Sequence, residues 1–216
     1  MAVTAKMTPA YYAKGRRYLM RQDPKLAAII KRAGPCTMRA YQDGDPFSAL
    51  VQTIVSQQLS TRVADVIFGR VAALCGTAGV TPARVLAIDP LELRAAGLSH
   101  AKVRYVQELA AKVSDGTIVL DHLDELPDEE VTRVLSQVKG IGPWSTHMFL
   151  IFRLHRPDVW PIGDLAIVKA LGRFHRLRKT PNAKRLDRLG EVWRPYRSLA
   201  AWYLWASLSL KDEEAQ

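Results

Sequence analysis

The chain has 216 residues, 48% hydrophobic and 24% charged, long and apolar enough for a packed core. That balance excludes a disulfide-stapled mini-protein and an intrinsically disordered chain. Lys and Arg number 31 against 21 Asp and Glu, a net charge of +10, so a polyanionic partner is expected, nucleic acid ahead of an anionic membrane. Cys36 and Cys75 lie far apart and outside any CxxC, so neither a disulfide framework nor a four-cysteine zinc or iron–sulfur site is expected.

The N-terminus runs from Lys6 into Tyr11, Tyr12, Lys14, Arg16 and Arg17 without an apolar stretch, so no secretion signal is read and a cytoplasmic, nucleoid-associated protein is expected. A capping residue followed by proline recurs at Thr8-Pro9, Asp23-Pro24, Asp45-Pro46, Thr81-Pro82, Asp89-Pro90 and Thr180-Pro181, each predicting a helix start. After Asp45, the spacing of Phe47, Leu50, Val51, Ile54 and Val55 makes one helical stripe that ends at Ser56-Gln57-Gln58. Ser60 is expected to cap the next helix, which would bury Val63, Ile67, Val71 and Leu74 and stop at Gly76. Further helices are predicted at about 82–87, 90–96, 100–113, 128–138, 143–155, 164–174, 182–192 and 196–210. The β-branched run Gly116 to Leu120 has no partner strand and reads as an extended connector. The charge-free stretch Leu199 to Leu210 is too short for the roughly 20 apolar residues of a membrane-spanning helix. Trp193, Trp202 and Trp205, at helical spacing, read as core, and His122, His147, His155 and His175 show no metal-ligand spacing.

Chemistry concentrates at Ser136-Gln137-Val138-Lys139-Gly140-Ile141-Gly142-Pro143-Trp144. One helix ends, glycines flank Ile141, and a new helix starts at Pro143, where a missing N–H costs nothing. Gly140 and Gly142 permit positive φ and bring no Cβ, while amides of the hairpin and of the next helix start face outward, a backbone site for an anion. Ile141 would plug the hairpin into the core. Downstream, Asp164 stands where Leu165, Ile167, Val168 and Leu171 begin another helix, which makes it a cap, and a carboxylate held there stays ionised readily. Arg173, His175, Arg176, Arg178, Lys179, Lys184, Arg185 and Arg188 then crowd together, either as a solvated face or as a surface for phosphates.

From Gln57-Gln58 through Lys139-Gly140-Ile141-Gly142-Pro143-Trp144 to Asp164, the chain resembles the helix-hairpin-helix DNA glycosylase superfamily, and the DNA-3-methyladenine glycosylase II branch in particular. The likeness runs from about Asp45 to Trp205 and takes in Trp193-Arg194-Pro195-Tyr196-Arg197-Ser198. It departs from the pattern before Asp164, where Ile162-Gly163 stands in place of Gly-Pro or a second acid, and at Val138-Lys139, in place of Leu-Pro. The stretch before the matched region leaves no room for the N-terminal β-domain that enzymes of the branch can carry.

The resemblance implies an all-α fold of two helical lobes, one at about 47–138 and the other from 1–46 plus 139–216, with the active-site cleft between them. It implies a monomeric base-excision enzyme that flips alkylated purines (3-methyladenine, 7-methylguanine) out of duplex DNA and hydrolyses the glycosidic bond without lyase activity. Asp164 would be the catalytic carboxylate, and Trp144 stands where strand-cutting relatives place a lysine. Trp144, Met148, Tyr196, Gln57 and Trp193 would border the flipped base, with Gln57 reaching it from the opposing lobe. Lys139, Gly140, Gly142, Ser145 and Thr146 would contact the DNA backbone, and Leu98 or His100 would wedge into the emptied stack. Carbonyls of Ser136, Val138 and Ile141 would hold a monovalent cation. The readings that compete are a non-catalytic DNA-binding protein using the same hairpin, and a glycosylase for oxidised or mismatched bases.

Overall fold

A computed structural model of the chain describes residues 8–38, 45–177 and 179–210. Regular structure among these residues is helical throughout: α1 (Pro9–Gln22), α2 (Pro24–Ala33), α3 (Pro46–Ser56), α4 (Thr61–Cys75), α5 (Pro82–Ala87), α6 (Pro90–Ala95), α7 (His100–Ser114), α8 (Asp128–Leu135), α9 (Pro143–Phe152), α10 (Leu165–Phe174), α11 (Ala183–Gly190) and α12 (Arg197–Ser207), with single 3-10 turns at Gly76–Ala78 and Glu191–Trp193. None of these helices is long and apolar enough to cross a membrane.

Side chains of Thr8, Asp23, Asp45, Thr81 and Asp89 each accept a first-turn amide ahead of a proline, as predicted. Thr180-Pro181 does not start a helix; Asn182 caps α11 instead, its Oδ1 accepting Arg185 N at 2.9 Å. The stripe on α4 is also turned from the one expected. Ala64, Val71 and Cys75 are buried, whereas Val63 and Leu74 stand exposed. Residues 116–120 form the expected connector, with Ile118 and Leu120 buried and Val119 turned outward.

The helices divide into two compact units. The first is one continuous stretch, α3 to α9 and their loops as far as Leu154. Its centre is α3, which packs on α4, α7 and α9 and buries residues on every side: Phe47, Ala49, Leu50, Val51, Thr53, Ile54 and Val55. A helix apolar all round belongs in the middle of a bundle. The boundary expected near residue 138 falls instead after Leu154, because α9 packs on α3 and α8 and so stays with the preceding helices.

The second unit joins α1 and α2 to everything from His155 onward. Here α12 packs on α2, α10 and α1 around Leu19, Leu26, Ile30, Ile167, Leu171, Trp193, Leu199, Tyr203 and Leu204. Asp158 fastens the loop after α9: its Oδ1 accepts Arg197 Nε at 2.9 Å and its Oδ2 accepts Arg194 Nη1 at 2.6 Å. Gly190 is needed for close packing, since a Cβ there would lie 2.5 Å from the Trp160 indole, which is anchored by its N–H to Leu186 O at 3.0 Å. Gly190→Ala should therefore cost about 1–3 kcal/mol through overpacking, measured as a lower urea midpoint with an unchanged slope.

Candidate active site and nucleic-acid interface

In the continuous unit, α8 ends at Leu135 and the chain turns through 136–142 before α9 begins at Pro143. Val138 and Ile141 are almost fully buried, so Ile141 does seat the hairpin, and its N–H closes the turn onto Val138 O at 3.1 Å. Only Gly140 uses the left-handed region, at φ +85°, with a would-be Cβ 2.1 Å from the Tyr105 ring. Gly142 is extended at φ −102° and serves as the N-cap of α9, with no side chain to close the helix end. The first intrahelical bond of α9 runs from Thr146 N to Gly142 O at 3.0 Å, which puts the amides of Trp144 and Ser145 in the electropositive first turn. Lys139 and Gly140 are exposed beside it.

Ser145 and Thr146 are buried, and their hydroxyls face inward rather than to a phosphate, because this side of α9 packs on α3. Ser145 Oγ accepts Gln57 Nε2 at 2.9 Å, and Thr146 Oγ1 donates to Gly142 O at 3.2 Å. The peptide N–H of Thr146 is likewise taken, by Gly142 O, which leaves the Ser145 amide as the donor that these two residues could offer to a phosphate. Gln57 is placed differently from the expectation as well: it belongs to the same unit as the hairpin, and its Nε2 also donates to Gly140 O at 2.7 Å. These two bonds brace the hairpin. Trp144 is half-buried on the first turn of α9, with Met148 one turn on and buried. Of the two wedge candidates, Leu98 is 1% exposed and belongs to the core, while His100 is exposed at the start of α7.

In the other unit, Asp164 is 8% exposed and caps α10. Its Oδ1 accepts Ile167 N at 2.8 Å and Trp205 Nε1 at 3.1 Å. The Ile162-Gly163 departure does not loosen the approach, since Asp164 N closes a turn onto Pro161 O at 2.9 Å and the preceding Val159 and Trp160 are buried. Trp205 is the partner that sequence reasoning missed: it was read as core, and nothing local marks it as a ligand of a carboxylate 41 residues away.

Trp193 is fully buried, and Tyr196 is 7% exposed. Trp193 lies edge-on to Trp160 at 5.3 Å and donates its indole N–H to Asp23 Oδ2 at 3.1 Å. Tyr196 is enclosed by Tyr11 and Tyr18, with ring centroids 5.2 and 5.1 Å away. Both rings belong to the packed core of this unit. In the basic cluster, Arg173, Arg176, Lys179, Lys184, Arg185 and Arg188 are exposed and His175 is half-buried; Arg178 lies outside the described residues. Burial, with Lys25 and Arg185 nearby, pushes the His175 imidazole below its ordinary pKa.

Residues 51–195 match the HhH-GPD superfamily of base excision DNA repair proteins. The chain is 34% identical over 176 residues to DNA-3-methyladenine glycosylase 1 of Schizosaccharomyces pombe, covering 81% of this chain and 77% of that protein. It is 28% identical over 180 residues to DNA-3-methyladenine glycosylase 2 of Escherichia coli, covering 79% of this chain and 61% of the relative. The solved structure of S. pombe 3-methyladenine DNA glycosylase in complex with abasic DNA superposes with a TM-score of 0.85 at 31% identity, over 94% of this chain and 100% of that one. With a family match over most of its length, a relative of this identity and an all-helical fold in common, the chain belongs to the HhH-GPD superfamily of base excision DNA repair proteins.

Proposed function

We propose that the protein is a monofunctional DNA glycosylase that hydrolyses the bond between deoxyribose C1′ and an alkylated purine, 3-methyladenine or 7-methylguanine, in duplex DNA and leaves an abasic site. The observation that carries this reading is Asp164, a carboxylate nearly buried yet held by the Ile167 and Trp205 N–H groups. Bond cleavage builds oxocarbenium charge on the sugar, and a fixed carboxylate in a water-poor setting stabilises that charge and orients the attacking water. A purine methylated at N3 or N7 is cationic while still attached, so it leaves readily and stacks on electron-rich rings such as that of Trp144. Trp144 brings no amine to form a covalent bond with the sugar, which supports hydrolysis without strand cleavage.

The hairpin, the first turn of α9 and Lys139 suit the phosphates flanking the lesion, and His100 is the exposed side chain left for the wedge. The carbonyls of Ser136, Val138 and Ile141 would hold a monovalent cation: they are hard donors, and Val138 O, which accepts Ile141 N–H, keeps a second lone pair. Such an ion would offset the partial negative charge of the turn and take no part in bond cleavage.

The test is to incubate the protein as a monomer with duplexes bearing methylated, oxidised or mismatched bases and to separate the released bases. Release of 3-methyladenine or 7-methylguanine with the strand intact is expected. Binding without release would identify a non-catalytic DNA-binding protein, and release confined to oxidised or mismatched bases would move the lesion class.

A further inference from the structure

The hairpin leans on one face of α7. Lys102, Tyr105, Glu108 and Lys112 follow one another at intervals of three or four residues, so they form a single helical stripe, and all four are partly buried. Each meets the hairpin or its brace. Lys112 Nζ donates to Gln137 O and pairs with Glu108 Oε1 at 3.1 Å. Glu108 Oε1 accepts Lys139 N at 3.3 Å. Burial raises the Glu108 carboxyl, but its bonds from Lys112 and from the Lys139 amide outweigh that and leave it below its ordinary pKa. The Tyr105 ring covers the α-carbon of Gly140.

Lys102 acts one step removed. Its ammonium donates to Val55 O at 2.7 Å and Gln57 O at 2.8 Å, where α3 ends. That last turn has no basic residue of its own, so Lys102 supplies from α7 the positive charge that the end of a helix favours. Burial lowers the Lys102 pKa. Gln57, fixed by its backbone in this way, turns its amide to Gly140 O and Ser145 Oγ. The chain of contacts runs from ammonium to α3 end to hairpin inside one unit.

We propose that this face of α7 is the template that holds the hairpin in its DNA-binding shape, and that Lys102 is a positioning residue for DNA binding, acting through Gln57 without touching DNA. The inference rests on the reading of the hairpin as a clamp on the DNA backbone. Hairpin amides aim at a phosphate only while the Gly140 and Ser145 backbone is pinned, so loosening the pin should weaken duplex binding and leave the chemistry at Asp164 running once DNA is bound.

The experiment uses the full chain and its Lys102→Met, Lys102→Arg, Gln57→Glu and Lys102→Met/Gln57→Glu variants, each checked by thermal melting and assayed well below its midpoint. The Kd for a labelled abasic duplex is measured beside KM and kcat for base release. Lys102→Met and Gln57→Glu should each raise Kd and KM about tenfold, with kcat within about twofold, and the double variant should be no worse than the weaker-binding single, as for two members of one relay. Lys102→Arg, which keeps the charge and the donors, should restore most of the affinity. An unchanged Kd for Lys102→Met, a loss confined to kcat, or effects that multiply in the double variant would overturn the proposal. Gln57→Glu, equal in size to glutamine but without the N–H donors, decides the matter if Lys102→Met fails to fold. Should the unaltered chain bind abasic duplex but release no base, the proposed function falls while the Kd arm still judges the relay.

Discussion

Asp164→Asn is expected to slow base release by about 10²–10³-fold, the usual scale for removing one preorganised electrostatic contact to a transition state, while abasic-duplex affinity stays within a factor of two or so of the unaltered protein. The two effects separate because asparagine keeps the structural half of the role. Its Oδ1 can accept the same bonds from Ile167 N and Trp205 Nε1, and asparagine caps a helix about as well as aspartate, so stability should change by no more than about 0.5 kcal/mol. What is lost is the negative charge that, in the proposed reaction, faces a developing positive sugar. Asp164→Ala should lose the cap as well, at about 1 kcal/mol, and strand the Trp205 N–H. Single-turnover release from a methylated duplex, with melting curves of both variants, makes the comparison. Release by Asp164→Asn at the original rate would reduce Asp164 to a helix cap.

Gly140→Ala should damage the hairpin more than any other single methyl group in this unit. The residue sits at φ +85°, and the added carbon would lie 2.1 Å from the Tyr105 ring. A left-handed backbone costs an L residue about 1–2 kcal/mol, and overpacking adds about 1–3 kcal/mol, so the sum is on the order of 3 kcal/mol. Urea unfolding should show that loss, and the Kd for abasic duplex should rise by about tenfold or more. Adding Tyr105→Ala should return the steric part and leave the backbone part, which a double-mutant cycle separates. Wild-type stability and affinity in Gly140→Ala would mean that the hairpin does not need this conformation.

What could be read from the sequence was what neighbours settle. Asp-Pro and Thr-Pro pairs act on amides two or three residues away, and the caps at Thr8, Asp23, Asp45, Thr81 and Asp89 came out as predicted. Thr180-Pro181 failed for an equally local reason, since Asn182 stands closer to the apolar run and takes the cap. The hairpin, with its glycines and Pro143, was legible for the same cause. Burial was harder to read. Val63 and Ala64 are adjacent on α4, yet only Ala64 is buried, and nothing in the local pattern decides between them. Leu98 and His100 both looked available in a loop, and one of them turned out to be core. The contacts that shape the site were the least visible, because Gln57 finds Gly140 across 83 residues, Lys102 finds Val55 across 47 and Trp205 finds Asp164 across 41. No periodicity reports a pairing at such distance.

Asp23 ties the start of the chain to its end: one carboxylate oxygen caps α2 and the other accepts the Trp193 indole 170 residues later. Tyr11 Oη donates to Pro157 O and Tyr203 Oη to Gly34 O over comparable separations. On the ribosome these partners are synthesised far apart in time. Helices α3 to α9 are contiguous and can assemble as they emerge, whereas α1 and α2 must wait for α12 before their apolar faces are covered. Trp205, which holds Asp164, lies on α12 and emerges with it. A nascent chain therefore completes the hairpin before Trp205 is available to hold Asp164.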